Sequence, residues 1–273
     1  MRTKLSSILI TLTLGSSSYS VAHAQTMSSA PPVAQVSAAP SSPAAADPNI
    51  DRGFLLPTAM TQPAGTLTYN NYELLLHGLT YGVTDRIQAT VTVLSPIAKD
   101  MPFVGFGAVK ARIVATDRLH LAVQGTLGYA HDFQSSSDTS GSSIYTLGAG
   151  GFGSLCLRDD CSSLLSASAS YQMLSPSGAD GTAHLLIYGG SIVHRVSRRV
   201  KLLGEVASAA AQASSSTTST DLQNLHGVLV SYGVRFHTDN LAGDVGFVKP
   251  IVENDSSNFL LGFPFVNLSY RWQ

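Results

Sequence analysis

The chain has 273 residues, of which 12% are charged, about half of the ~25% that is usual for soluble domains. Because 44% of the residues are hydrophobic and the mean hydropathy is +0.17, the composition excludes a chain that is disordered throughout. The formal net charge of −1 excludes the strongly basic surface of nucleic-acid-binding proteins. No apolar run reaches the ~18–20 residues that a transmembrane helix needs, so the composition favours strands that cross a membrane.

Residues 1–24 have the three parts of a secretory signal peptide: a basic start, an apolar centre and a small-x-small cleavage site. These parts are Arg2 and Lys4, the stretch Ile8–Leu14, and Ala22-His23-Ala24. We therefore predict a cleavable signal peptide at residues 1–24, with the mature chain of an exported precursor starting at Gln25. The alternative interpretation is a short N-terminal core strand.

Residues 25–52 are predicted to be an Ala/Pro/Ser-rich flexible linker. Ala, Ser and Pro occupy 17 of the 26 positions from 25 to 50, and the first charge in this stretch is Asp47. Five prolines within it disfavour any regular element. Residues 53–273, which follow the linker, are predicted to be the folded part of the mature chain.

From residue 53 onward, short polar turns alternate with longer Ser-rich loops. The short turns are Thr84–Arg86, Thr116–Arg118, Leu157–Asp160, Ser197–Arg199 and Thr238–Asn240. The longer loops are Pro96–Phe103, His131–Ser142, Ser175–Gly181, Ala213–Gln223 and Val252–Asn258. Short connections at one end and long ones at the other are typical of outer-membrane barrels, whose short turns are periplasmic.

The segments between these connections alternate between apolar and polar residues with a period of two. In one of them, Ile87, Ala89, Val91 and Val93 alternate with Gln88, Thr90 and Thr92. Successive strand side chains point to opposite faces, so each segment has one face suited to lipid and one suited to a lumen.

Eleven such spans can be recognised, and single-chain bacterial barrels have an even number of strands. We predict Gly53–Met60 as the missing strand and Gln62–Gly65 as a tight external turn after it. The predicted fold is all-β: a closed antiparallel transmembrane β-barrel over residues 53–273, with about twelve strands and ten as the fallback.

The last predicted strand carries a family resemblance. Val266, Leu268, Tyr270 and Trp272 alternate along it, with only Gln273 following, and this pattern resembles the C-terminal signature of bacterial outer-membrane β-barrel proteins. The stretch from Pro57 to Arg86 is also similar to the opening hairpin of such barrels. The resemblance implies a Gram-negative outer-membrane location, a lipid bilayer around the chain, and recognition by the barrel assembly machinery. It implies neither an activity nor an oligomeric state.

Eight charged residues lie on predicted strands and are expected to face the lumen, because a cation on the lipid face near the midplane costs ~2–4 kcal/mol. They are Glu73, Lys110, Arg112, Lys201, Glu205, Arg235, Asp244 and Arg271. Five are cations, which suits a narrow, weakly anion-favouring, porin-like pore. Alternatively, the charges pair with one another and plug a barrel in which ~12 strands leave limited room.

The only two cysteines, Cys156 and Cys161, flank a predicted periplasmic turn. An even count after a signal peptide favours a disulfide, and two free thiols are the alternative.

We predict no catalytic, metal or cofactor site. No metal-binding spacing of His or Cys occurs, and no segment matches the motifs of outer-membrane phospholipase A, a twelve-stranded acyl hydrolase. His131-Asp132 is interpreted as a solvated turn. The expected function is that of a non-enzymatic outer-membrane barrel, either a narrow pore or a plugged scaffold that presents Ser-rich external loops. The alternatives are a soluble secreted β-sandwich or binding module, or a barrel acyl hydrolase.

Overall fold

The computed structural model describes residues 47–95, 102–131, 143–177, 181–214, 225–251 and 261–272. They form twelve strands: β1 Leu67–Tyr72, β2 Leu76–Thr84, β3 Ile87–Leu94, β4 Phe103–Ala115, β5 Leu119–His131, β6 Ser143–Cys156, β7 Leu164–Pro176, β8 Thr182–Arg195, β9 Val200–Ser214, β10 Leu225–His237, β11 Leu241–Ile251 and β12 Phe263–Trp272. No helix in these ranges is long and apolar enough to cross a membrane.

Each strand pairs antiparallel with its neighbours in the chain, and β1 pairs with β12 to close the barrel. The closing register places Leu67 opposite Trp272 and Tyr72 opposite Asn267. Closure leaves no unpaired edge, so backbone hydrogen bonds are made within the sheet, as a bilayer requires. The predicted closed antiparallel barrel of about twelve strands is confirmed, and the fold is not that of an open β-sandwich.

One strand was predicted in the wrong place. Gly53–Met60 forms no strand, and the extra strand comes from the stretch before the Thr84–Arg86 turn, which divides into β1 and β2. The chain reverses at Glu73 and Leu74, whose φ angles of 53° and 63° are left-handed, and the Asn71 side chain accepts a hydrogen bond from the Leu74 N–H. This turn has no Gly or Pro, which are the residues that usually mark one.

The barrel is apolar outside and polar inside, the reverse of a water-soluble protein. Along β12, Val266 and Leu268 are each 51% exposed, whereas Asn267 and Ser269 between them are 1% and 0% exposed. The same alternation places Val91, Val123 and Val245 outside, and Gln88, Lys110 and Asp244 inside. An apolar outer surface closed around polar side chains fits a hydrocarbon surrounding.

Residues 47–66, here called the N-terminal plug, lie inside the barrel near its short-turn end. Their contacts reach inward side chains of many strands, including Gln88 on β3, Ser154 on β6 and Ser269 on β12. Gln62–Gly65 is not an external turn, because Ala64 N–H donates to the Asp85 carboxylate in the short β2–β3 turn. The predicted boundary between residues 52 and 53 falls inside this segment, whereas the predicted signal peptide and residues 25–46 of the linker lie outside the described residues.

Small residues on the inner wall make room for the plug. The Phe54 side chain is fully buried, and its ring lies beside Gly233 of β10 and Gly246 of β11. A Cβ at Gly246 would lie 3.0 Å from the Phe54 ring and 2.2 Å from the Tyr232 carbonyl oxygen. Glycine at this position therefore allows both the strand pairing and the docking of the aromatic ring.

Candidate functional site

A buried cluster of charges anchors the start of the plug. Asp47 accepts hydrogen bonds from Lys201 Nζ at 2.6 Å and from an Arg235 guanidinium nitrogen at 3.2 Å. Arg235 also binds both carboxylate oxygens of Asp244, at 2.6 and 3.0 Å. All four side chains are at most 4% exposed. Two cations thus face two carboxylates, and one of those carboxylates comes from the plug.

A second charged contact holds the tip of the plug. The chain turns tightly at Gly53, whose N–H donates to the Leu56 carbonyl at 2.8 Å. Three consecutive N–H groups, of Phe54, Leu55 and Leu56, then point at the Glu205 carboxylate, at 2.5 to 3.1 Å. Three backbone donors of the plug thus converge on one buried carboxyl group of the wall.

Two more buried cations connect the plug with the wall, and neither has a carboxylate in direct contact. Lys110 Nζ donates to the carbonyl oxygens of Asp51 and Thr58, at 3.0 and 3.1 Å. Arg52, which belongs to the plug, donates to the Tyr72 hydroxyl and to Ser269 Oγ, the latter at 2.7 Å. Polar contacts therefore run between the plug and strands β1, β4 and β12 of the wall.

Apolar packing adds to these contacts at one side of the lumen. The Phe54 and Phe265 rings lie 4.8 Å apart between centroids. Ile50 and Met60 of the plug join the same buried cluster, together with wall residues such as Leu203.

Six of the eight predicted lumen charges are buried inside the barrel: Lys110, Lys201, Glu205, Arg235, Asp244 and Arg271. Glu73 lies instead in the β1–β2 turn, where its carboxylate accepts from the Val266 N–H at 2.5 Å. Arg112 is only partly buried and donates to the Asp85 carbonyl at the short-turn end. Sequence reasoning missed Asp47 and Arg52, because both lie in a segment whose composition is that of a linker.

A cavity of about 700 Å³ opens at the short-turn end of the barrel. Its cationic lining, here called the basic mouth, consists of Arg158, Arg195, Arg198, Arg199 and Lys201 together with His237. Asp239 also lines the cavity. Asp160 pairs with Arg195 at 2.8 Å, and Asp47 pairs with Lys201.

The predicted disulfide pair lies beside this mouth. The Sγ atoms of Cys156 and Cys161 are 1.99 Å apart, and Cys161 Sγ lies 3.7 Å from His120 Nε2. A ring nitrogen of His120 and the two Sγ atoms of Cys156 and Cys161 all lie within 4.8 Å of one another. His120 is 36 residues from the nearer cysteine, so spacing in the sequence gave no sign of this grouping.

Near the long-loop end, a serine and a histidine are in hydrogen-bond contact. Ser143 Oγ lies 2.8 Å from His131 Nδ1 and 3.1 Å from the Tyr129 hydroxyl. Ser143 is buried, while Tyr129 and Tyr145 pack as aromatic neighbours with centroids 5.2 Å apart. Tyrosines of this kind are enriched where a membrane meets water. The sequence had suggested only a solvated turn at His131.

The residues of the predicted C-terminal signature, Val266, Leu268, Tyr270 and Trp272, all face outward from β12. Tyr270 and Trp272 pack edge to face, with centroids 4.8 Å apart. Their part in assembly remains a prediction.

Comparisons with known proteins return structures but no sequence family. No family model and no curated protein matches the chain. A loop-deletion mutant of OmpT, an outer membrane protein of Vibrio cholerae, is 14% identical with a TM-score of 0.43, covering 72% of this chain and 62% of that one. Outer-membrane-expressed OmpT is 13% identical at 0.42, covering 72% and 64%. LpxR from Salmonella typhimurium is 10% identical at 0.41, covering 76% and 99%.

The chain has the fold of bacterial outer-membrane β-barrel proteins, in agreement with the predicted class and location. Closure, the apolar exterior and the polar interior are the features that define this class. The chain spans less than two thirds of each OmpT chain that it matches. At these identities the likeness shows the fold alone.

The prediction that the protein is not an enzyme is wrong as it stands. LpxR, an outer-membrane enzyme, is among the neighbours, so sharing this barrel gives no ground for excluding catalysis. No activity is carried over to this chain from that likeness.

Proposed function

We propose that the protein is an outer-membrane barrel held closed by its own N-terminal plug. The observation that carries the proposal is the buried cluster in which Asp47 of the plug pairs with Lys201 and Arg235 of the wall. If the plug left the lumen, Lys201 would lose its carboxylate partner, Arg235 would lose one of its two, and water would have to replace these contacts. The charge pairs therefore favour the plugged state.

Several independent contacts support the same closed state. Glu205 holds the plug tip through three N–H groups, and Lys110 holds two plug carbonyl groups from the opposite wall. The predicted anion-favouring pore is then a property of an unplugged barrel, since Lys110 and Lys201 would face an empty lumen only after the plug had left.

Planar-bilayer recording tests the closure. The folded full-length chain is expected to give no steady conductance, and a chain lacking residues 47–65 is expected to conduct, provided that it still shows the heat-modifiable gel migration of a folded barrel. A matched control deletes residues 25–43, which precede the described part of the chain, and should stay closed. Equal conductance of the full-length chain and the chain lacking the plug would show that the plug does not close the lumen.

A second candidate function is ester hydrolysis at the membrane surface, and the 2.8 Å contact between Ser143 and His131 favours it. In this role Ser143 Oγ attacks an ester carbonyl while His131 takes the hydroxyl proton, then returns that proton to the leaving alcohol. Water hydrolyses the acyl-serine in a second step. Closing the lumen does not oppose this reaction, because the pair lies near the external rim.

A fluorophosphonate probe and a phospholipid substrate in mixed micelles test this candidate. Labelling mapped to Ser143, and release of fatty acid that falls at least about a hundredfold in Ser143→Ala, would support it. Ser166→Ala, which removes a buried hydroxyl from the lumen wall, serves as the control and should leave the rate unchanged. Equal rates for Ser143→Ala and the wild-type protein would remove the candidate.

A further inference from the structure

We propose that the basic mouth is a binding site for a phosphate-bearing anion. The cavity has about 700 Å³, within the usual ~300–1,000 Å³ of small-molecule sites. It opens at the short-turn end, which is the periplasmic end in bacterial barrels. The proposal does not depend on whether the plug closes the lumen.

Charge is the first argument. Among the described residues, Arg158, Arg198 and Arg199 have no carboxylate within ion-pair distance, whereas Arg195 and Lys201 are paired with Asp160 and Asp47. Asp239 is a further carboxylate in the lining. The mouth is therefore left with an excess of positive charge concentrated in one concave surface, which attracts anions.

His237 gives the second, independent argument. Its side chain is 7% exposed and lines the cavity, and within the described part of the chain its ring nitrogens interact with the Thr238 backbone but with no side chain at hydrogen-bond distance. Buried polar groups are nearly always satisfied, so the ring nitrogen that Thr238 does not engage calls for a partner. An oxygen of a bound anion would accept a hydrogen bond from a ring N–H of His237.

Hydrogen bonds between neighbouring short turns hold the lining of the basic mouth in place. The backbone N–H of His237 donates to the Arg199 carbonyl at 2.9 Å, and this hydrogen bond joins the β8–β9 and β10–β11 turns. The Arg195 N–H donates to Ser163 Oγ at 3.0 Å, which joins the β6–β7 turn to them. Three turns are thus held together around one cavity.

The arginine side chains of the mouth indicate which kind of anion it would bind. The planar guanidinium group presents paired N–H donors that match two oxygens of a phosphate group. Two sources of such a group reach this end of the barrel: a soluble phosphorylated compound and a phospholipid headgroup. The second is close because Phe236, next to His237, is 55% exposed on the outer face, so the mouth lies near the membrane surface.

The test uses the folded full-length protein and two variants with the same loss of charge. Arg198→Gln/Arg199→Gln removes two unpaired cations of the mouth, and Arg86→Gln/Arg118→Gln removes two exposed cations from other short turns. His237→Phe removes both ring nitrogens at similar volume. Gel migration before and after heating checks that each variant is folded.

Pyrophosphate titrated by calorimetry in detergent tests the soluble source. In the second arm, native mass spectrometry counts phosphatidylglycerol retained from nanodiscs that also contain phosphatidylcholine. We expect binding in one arm to fall on the order of tenfold in Arg198→Gln/Arg199→Gln, to weaken in His237→Phe, and to stay unchanged in Arg86→Gln/Arg118→Gln. The arm that responds identifies the source. Equal losses in the two arginine variants, or no binding in either arm, would overturn the proposal.

Discussion

The lumen and the basic mouth both contain arginine and lysine side chains, but these cations are paired with carboxylates in the lumen and are in excess at the mouth. Inside the lumen, Arg235 and Lys201 face Asp47 and Asp244 at hydrogen-bond distance, and all four are buried. At the mouth, cations outnumber the carboxylates that face them. Paired charges in this barrel therefore hold the plug to the wall, whereas unpaired charges near the surface remain available to a ligand. Lys201 belongs to both regions.

The largest effect is expected from Asp47→Asn. Removing one partner of a buried ion pair costs about 3–5 kcal/mol, because the remaining charge is left uncompensated. Hydrogen exchange followed by mass spectrometry should show faster exchange in residues 47–66, with the wall strands unchanged. Asp159→Asn is the matched control, since its partner Arg118 is 68% exposed, and it should leave the plug protected. Unchanged exchange in Asp47→Asn would show that the plug is held by other contacts.

Glu205→Gln should loosen the plug tip by about 1–3 kcal/mol, the usual cost of leaving a buried donor unsatisfied. A neutral amide offers one oxygen where the carboxylate offers two, and its NH₂ group would face the N–H donors of the plug. Exchange should rise at Phe54, Leu55 and Leu56 more than at Asp47. In Glu73→Gln, which changes a carboxylate outside the lumen, these amides should exchange as in the wild-type protein.

At the mouth, Cys156→Ser/Cys161→Ser is expected to lower the free energy of unfolding by about 2 kcal/mol, because the disulfide restricts the unfolded chain over a short loop. Urea unfolding of the protein in detergent measures this change. The wild-type protein without reductant should resist alkylation at both thiols. Ready alkylation of both would mean that the cysteines are free.

The smallest effect is expected at Asp160. Burial alone would raise the pKa of this carboxyl, but hydrogen bonds from Ser162 and the charge of Arg195 outweigh it and hold the pKa below its ordinary value. A depressed pKa means that the stabilisation is present above the unfolded-state pKa of about 3.9 and is lost as the pH falls through the folded value.

Since its side chain is 25% exposed, the contribution should stay below about 1 kcal/mol. In urea unfolding measured from neutral pH down to acid, Asp160→Asn should lack this small acid-dependent loss. An identical pH profile for wild-type protein and variant would contradict it.

The period-two alternation of apolar and polar residues was enough to locate most strands of the barrel wall. It placed β3 to β12 within a few residues, because each strand has its own lipid face and lumen face and needs no distant partner to define them. It failed at the β1–β2 turn, where Glu73 and Leu74 adopt left-handed backbone angles without glycine. The even strand count was right, but the extra strand came from this turn and not from Gly53–Met60.

The candidate site was predictable only in part. Lys110, Lys201, Glu205, Arg235, Asp244 and Arg271 follow from the rule that charged strand residues avoid lipid, and the structure places them inside. Their partners do not follow from it, because Asp47 lies 154 residues from Lys201 and 188 from Arg235. Ser143 and His131 are 12 residues apart in the chain, and their contact depends on the pairing of β5 with β6.

The sequence by itself determined the membrane class, the closed sheet and which side chains face the lumen, because these depend on local alternation and on the cost of placing charge in lipid. Only the tertiary structure decided what fills the lumen and what lies at its mouth. Residues 47–66 have no periodic pattern of their own, and their conformation is set by wall groups that lie far away in the chain. Likewise, three separate short turns form one basic cavity only because the pairing of β7 with β8 and of β9 with β10 brings them side by side.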